Sequence, residues 1–211
     1  MSKRSNKSKK TSLWLNKQNQ DPYIIKSRKE GYRSRAAYKL LEINDKDHIL
    51  KPGMIVVELG SAPGGWSQVI SEQIGKNGKL FAIDLLPMDP IVNKYHNTDF
   101  IQGDFTTQEI QDQLTRLFDK ADLVISDMAP NLTGIKIVDQ ANSVHLIEIA
   151  YIFAKEVLKK NGIFVAKFFH GTAFDELVKN LRKEFVSVVI RKPSASRAES
   201  KEVYLLARGY N

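Results

Sequence analysis

From residue 54 onward, short apolar runs alternate with stretches in which apolar side chains recur at helical spacing. The runs MIVVELG (54–60), KLFAIDLL (79–86), ADLVISD (121–127) and IFVAKFF (163–169) predict strands, with a shorter one inside DFIQGDF (99–105). VSVVIRK (186–192) and EVYLLAR (202–208) predict two more. Between them, GWSQVISEQI (65–74) places Trp66, Val69, Ile70 and Ile74 on one helical face. Residues 107–118, 140–160 and 173–184 also read as helices. Upstream, SRAAYKLLEI predicts a short helix capped by Ser34, with Ala37, Leu40 and Leu41 apolar. Strands that alternate with helices argue for an α/β domain, a mainly parallel sheet covered on both faces. Only a loop separates the last two strands, which predicts an antiparallel pair at one edge.

Length and composition narrow the class. At 211 residues the chain suits one α/β domain, and 42% hydrophobic with 27% charged residues describes a globular protein. No apolar stretch reaches the length of a membrane span, and the first residues lack an apolar signal-peptide core. Cysteine is absent, which excludes disulfides and thiolate metal sites and suits a cytoplasmic protein.

Charge is unevenly spread. Residues 1–40 hold twelve Lys or Arg against Asp21 and Glu30, a net of +10; the remaining 20 basic and 22 acidic groups sum to −2. The expected organisation is a flexible basic arm over 1–20, its first twelve residues disordered, followed by a single domain over 21–211. An arm of this kind binds polyanions by counterion release, or serves only as a solubilising tail. Trp14, Tyr23, Tyr32 and Tyr38 interleave with the charges and are candidates for stacking on RNA bases.

The loop after the first strand, GSAPGG (60–65), carries the first chemical signal. Ligands of open α/β sheets bind at the carboxyl ends of strands. The spacing Gly60-Ser-Ala-Pro-Gly64-Gly65 departs from the G-x-G-x-x-G dinucleotide fingerprint, and Pro63 removes a backbone donor that a pyrophosphate would use. Asp84 closes the second strand, where a carboxylate accepts ribose hydroxyls, and Asp104 closes the third, within reach of an adenine amino group. Each acid alone is as well explained by a turn or cap. Together they describe a nucleoside without a pyrophosphate, and S-adenosylmethionine fits that description.

Read as a set, VVELGSAPGGWSQV, FAIDLLPMDPI, FIQGDF, ADLVISDMAPN, FVAKFF and SRAESKEVYLLA, with YRSRAAYKLLEI upstream, resemble the bacterial FtsJ-like ribosomal RNA 2′-O-methyltransferases. The resemblance runs from about residue 21 to the end. It implies a Rossmann-like S-adenosylmethionine-dependent methyltransferase fold with a mainly parallel seven-stranded sheet. The implied reaction is methylation of a ribose 2′-hydroxyl, of a uridine in the aminoacyl-site loop of 23S RNA in the large ribosomal subunit, by a cytoplasmic monomer. Relatives acting on the transfer RNA anticodon loop share the motifs. The family's Lys-Asp-Lys-Glu set falls on Lys39, Asp127, Lys167 and Glu202. The cofactor set falls on Gly60, Ser61, Gly64, Gly65, Trp66, Asp84, Asp104 and Asp127.

Residue chemistry adds its own support. Lys167 interrupts the apolar run IFVAKFF, where a lysine either snorkels out at the strand end or is paired and functional. The expected division of labour makes Lys167 the base or hydroxyl-orienting group, Asp127 and Lys39 its positioning partners and Glu202 a less essential support. Glu199 competes for the fourth place but sits in a polar loop. His48, His96, His145 and His170 lack ligand spacing, so no metal is expected; His170 could border the substrate. Phe168 and Phe169 read as packing groups. Two rival functions remain, a nicotinamide-dependent oxidoreductase and a non-enzymatic RNA-binding assembly factor.

Overall fold

The computed structural model describes residues 20–130, 133–169, 174–196, 200 and 202–211. Its elements in chain order are α1 (Pro22–Glu30), α2 (Ala37–Asp47), β1 (Ile55–Leu59), α3 (Gly65–Ile74), β2 (Lys79–Asp84), β3 (Thr98–Gln102) and α4 (Gln108–Thr115). There follow β4 (Ala121–Ser126), α5 (Lys136–Val157), β5 (Leu158–Phe169), α6 (Phe174–Glu184), β6 (Phe185–Arg191) and β7 (Glu202–Tyr210).

The seven strands form one sheet in the order β3-β2-β1-β4-β5-β7-β6. Pairs among β1 to β5 are parallel, whereas β7 runs antiparallel to both β5 and β6. The expected antiparallel pair is present, with β7 inserted inside the sheet and β6 at its edge. Strand order reverses at β1, so the chain leaves β1 towards β2 on one side and reaches β4 on the other. That arrangement opens a crevice at the strands' carboxyl ends, where α/β sheets take their ligands.

Both faces of the sheet are buried, which explains why the strands read as continuous apolar runs. One core holds Val57, Leu59, Phe153, Phe164, Leu181 and Leu205. The other, under α2 and α3, holds Leu40, Ile43, Val56, Trp66, Ile70 and Tyr204. Successive residues of β1 and β7 thus alternate between two dry layers, as a period of two requires.

Several boundaries differ from the sequence reading. The helix expected at 140–160 occupies Lys136–Val157, and β5 starts at Leu158 rather than 163. Ser34 does not cap α2: the N-cap is Ala36, without a side-chain bond. Ser34 instead packs on the glycine loop, where a Cβ on Gly65 would require its Oγ to move.

A larger correction concerns residues 21–40, whose cations the charge count groups with the arm. They are folded. Asp21 caps α1 by accepting the Tyr23 N–H, Pro22 occupies the first turn and Gly31 ends the helix in the left-handed region. Tyr38 is 6% exposed, and the rings of Tyr23 and Tyr32 each lie 5.6 Å from it, so these tyrosines pack on one another. Arg35 pairs with Asp21 and donates to the Ala195 carbonyl. Trp14 and the arm itself lie outside the described residues.

Candidate active site

Beyond β1 the chain turns at Gly60, whose φ is +80° and where a Cβ would come within 2.8 Å of Met128 N. Gly60 and Ser61 N–H groups both donate to the Ile83 carbonyl, at 2.9 and 3.1 Å, which pins the loop to the end of β2. Asp84 fastens it further: Oδ2 accepts the Ala62 N–H at 2.8 Å, and Oδ1 accepts the Leu86 N–H at 2.8 Å. Asp104 accepts both the N–H and the hydroxyl of Thr106, at 3.0 and 2.7 Å, and the hydroxyl followed by the N–H lowers its carboxyl below the usual range. A cleft of about 430 Å³ opens between these strand ends, lined by Gly60, Asp84, Leu86, Asp104, Asp127 and Lys167 among others.

The cleft fits a nucleoside-bearing cofactor. Two carboxylates, Asp84 and Asp104, are placed to accept hydroxyl and amino donors, whereas Ser61, expected in the cofactor set, does not line the cleft and its Oγ is buried without a hydrogen-bond partner. Gly64 and Gly65 lie at the entry to α3, whose first N–H groups have no intrahelical acceptor. Trp66 offers a ligand its backbone N–H at most, because its ring is 2% exposed in the core and its indole N–H donates to the Ala36 carbonyl.

At the other end of the cleft the four expected catalytic residues converge. Lys167, on β5, is 9% exposed, and its Nζ lies 3.0 Å from Asp127 Oδ1 while also donating to the Asp127 carbonyl. Lys39 reaches from α2 to Glu202 Oε1 at 2.6 Å. Tyr204 stands between the two ion pairs, directly opposite Lys167 in the β5–β7 register. Its hydroxyl lies 3.0 Å from Asp127 Oδ1 and 3.1 Å from Glu202 Oε1, and Ser196 Oγ donates to the same Glu202 oxygen at 3.1 Å.

The charges balance, two ammonium groups against two carboxylates. Such buried pairs hold together only when further hydrogen bonds complete them, which Tyr204 and Ser196 supply. Burial pushes the Glu202 carboxyl up, but Lys39, then Lys167 and Ser196, hold it below its usual range. Burial, then Asp127 and Glu202, raise the Tyr204 phenol well above its ordinary value, so it remains a neutral donor. Beneath the loop, Glu58 is wholly buried on β1. Desolvation lifts its carboxyl to about 8, against one hydrogen bond from Ser67 and with a further push from Asp127 and Asp84.

Two contributors escaped the sequence reading: Tyr204 and Ser196. Tyr204 stands two residues after Glu202 and therefore on the same strand face, but a tyrosine there reads equally as packing. Phe168 is core, as expected, at 1% exposure. The Phe169 side chain, His170 and Glu199 lie outside the described residues. His48, His96 and His145 form no metal-binding group, and none exists among the described residues.

Comparisons with known proteins identify the family. A family model for FtsJ-like methyltransferases matches residues 32–210. The chain is 53% identical to the "Ribosomal RNA large subunit methyltransferase E" of Marinobacter nauticus, over 97% of this chain and 98% of that protein. It is 50% identical to the protein of the same name from Cellvibrio japonicus, over 97% and 96%. A solved Plasmodium falciparum structure described as a ribosomal RNA methyltransferase superposes with a TM-score of 0.75 at 34% identity, covering 85% of this chain and 98% of that one. The MycE methyltransferase shares the fold alone, with a TM-score of 0.54 at 16% identity over 83% of this chain and 47% of that one. S-adenosylmethionine is the cofactor that these comparisons support, and the chain belongs to the FtsJ-like methyltransferase family.

Proposed function

We propose that this methyltransferase modifies a ribose 2′-hydroxyl of large-subunit ribosomal RNA, at a uridine of the aminoacyl-site loop. The ribosomal substrate is supported by the name that relatives at about half identity carry. The 2′-hydroxyl and the uridine rest on the motif resemblance. One observation carries the chemical reading: the Lys167–Asp127 pair sits at 3.0 Å on the wall of a cleft whose far end presents Asp84 and Asp104.

When bound, S-adenosylmethionine supplies an electrophilic methyl carbon, so the protein chiefly aligns two reactants and manages one proton. Asp84 and Asp104 hold the nucleoside end through its hydroxyl and amino donors. Lys167 orients the 2′-hydroxyl and, once its ammonium has released a proton to solvent, takes the proton of that hydroxyl. Asp127 fixes the Lys167 ammonium by its carboxylate and its carbonyl. Lys39 and Glu202 form the second pair, joined to the first through Tyr204. The reading includes an RNA-binding basic arm over residues 1–20 and a monomer acting in the cytoplasm. No described helix is long and apolar enough to cross a membrane.

The deciding experiment offers radiolabelled S-adenosylmethionine with large subunits, free 23S RNA or transfer RNA, all taken from a strain lacking this gene. Label resistant to alkaline cleavage at one uridine of the aminoacyl-site loop supports the proposal. Label in the transfer RNA anticodon loop, or none in any substrate, contradicts it.

A further inference from the structure

Arg33 lies in the turn between α1 and α2 and does not line the cleft, yet it grips both of the cleft's outer walls. Its Nη1 donates to the carbonyls of Asp89 at 2.6 Å and Pro63 at 3.3 Å, and its Nη2 to that of Pro90 at 2.6 Å. Pro63 belongs to the glycine loop. Asp89 and Pro90 belong to the segment after β2, whose first residues, Leu85 and Leu86, line the cleft. Asp84 ties the same two segments at their inner ends, through Ala62 and Leu86. Arg33 thus adds a tie at the outer end of the walls to those that Asp84 and the Ile83 carbonyl make at the inner end.

The surroundings are built for this contact. Gly64 sits at φ +103°, and a Cβ there would meet Arg33 Nη1 and Ile91 Cδ1, each at 2.9 Å, and Met88 Sδ at 3.0 Å. The arginine's own backbone is locked to α3: its N–H donates to Gln68 Oε1 at 2.8 Å, and Gln68 Nε2 returns a bond to the Gly31 carbonyl at 2.9 Å. A planar guanidinium satisfies carbonyls on two loops at once, which a lysine ammonium on a flexible stem does not reproduce.

We infer that Arg33 is a positioning residue for the cofactor: it sets the width of the cleft by clamping the glycine loop to the 89–90 segment. The inference rests on the reading of this cleft as the S-adenosylmethionine seat. It also sets Arg33 apart from cations that meet only solvent, because three of its five N–H donors are taken by carbonyls.

The test compares Arg33→Ala, Arg33→Lys and Asp84→Ala with the unaltered full-length protein, each checked for folding by circular dichroism. Titration calorimetry with S-adenosylmethionine gives Kd, single-turnover methyl transfer gives the rate at saturation, and RNA affinity is read across salt. Arg33→Ala is expected to weaken cofactor binding about tenfold or more, as the loss of charge-assisted bonds implies. Its saturated rate should stay within about threefold, a ground-state effect rather than a lost transition-state contact. Arg33→Lys should resemble it, RNA affinity and salt slope should hold, and millimolar guanidinium should partly restore binding to Arg33→Ala. Unchanged cofactor affinity in folded Arg33→Ala, full recovery by lysine, or a shallower RNA salt slope with normal cofactor binding would each overturn the inference. Should Arg33→Ala fail to fold, the cofactor affinity of Arg33→Lys decides the matter. If Asp84→Ala also leaves binding unchanged, the fault lies with the cleft assignment; if it alone weakens binding, the clamp is what fails.

Discussion

The hydroxyl of Tyr204 lies 3.0 Å from Oδ1 of Asp127 and 3.1 Å from Oε1 of Glu202, so one proton is shared between two buried ion pairs. Lys39 and Lys167 come from elements far apart in sequence, and this phenol on β7 is what links their partners. Tyr204→Phe leaves those carboxylates with one donor fewer. The expected loss is about 1–3 kcal/mol of stability in urea unfolding, the cost of an unmade buried bond, together with slower methyl transfer. A phenylalanine variant as stable and active as the parent would show that the two pairs act independently.

Asp84 braces both cleft walls and, in the proposed function, also accepts from the ligand. Asp84→Ala should weaken S-adenosylmethionine binding by roughly 1.5–3 kcal/mol, the value of bonds to a charged acceptor. Calorimetric affinity equal to that of the parent would place the ribose elsewhere.

Glu58 predicts a pH dependence with a definite sign. Its folded carboxyl titrates at about 8, whereas an unfolded glutamate titrates near the ordinary 4.5. Between those values the folded state holds a proton that the unfolded state has lost, so stability falls as pH rises. The slope from this group approaches about 1.4 kcal/mol per pH unit at most. Urea unfolding at pH 5, 6, 7 and 8 should show a flatter profile for Glu58→Gln than for the parent, and parallel profiles would count against a protonated Glu58.

Much of the fold is legible in the sequence because both sheet faces are dry. Strands such as VVELG and LVIS are apolar almost without a break, and turn residues punctuate them. Of the four expected catalytic residues, Asp127, Lys167 and Glu202 stand out as polar groups at apolar strand ends, Lys167 inside IFVAKFF most plainly, whereas Lys39 on α2 is placed only by the motif resemblance. Tyr204 is not, since a tyrosine in EVYLLA reads equally as packing. Arg33 is not either: its role depends on carbonyls 30 to 57 residues away, and nothing in YRSR marks a clamp. The cations of residues 21–40 are misread for a different reason. Net charge does not tell whether a cation faces solvent or pairs, and the pairing of Arg35 with Asp21 is a tertiary fact. Asp21-Pro22 and Gly31 nonetheless bracket α1 with ordinary start and stop residues.

The arm prediction is correspondingly narrower. Removing residues 1–12 deletes Lys3, Arg4, Lys7, Lys9 and Lys10 and leaves the cations of the folded segment in place. Weaker RNA binding and a shallower dependence on salt are expected, with cofactor affinity unchanged. Equal salt slopes for the two proteins would reduce these residues to a solubility tail.

If Lys167 acts on the reacting hydroxyl, its loss must show in single-turnover methyl transfer into large subunits lacking the modification. With cofactor and RNA saturating, binding drops out and only the chemical step is read. Lys167→Ala should fold and bind both partners nearly as the parent does, yet transfer methyl about 10²–10⁴ times more slowly. Lys167→Arg should not recover the rate, because guanidinium does not give up its proton. A near-parental rate in folded Lys167→Ala would rule out that role.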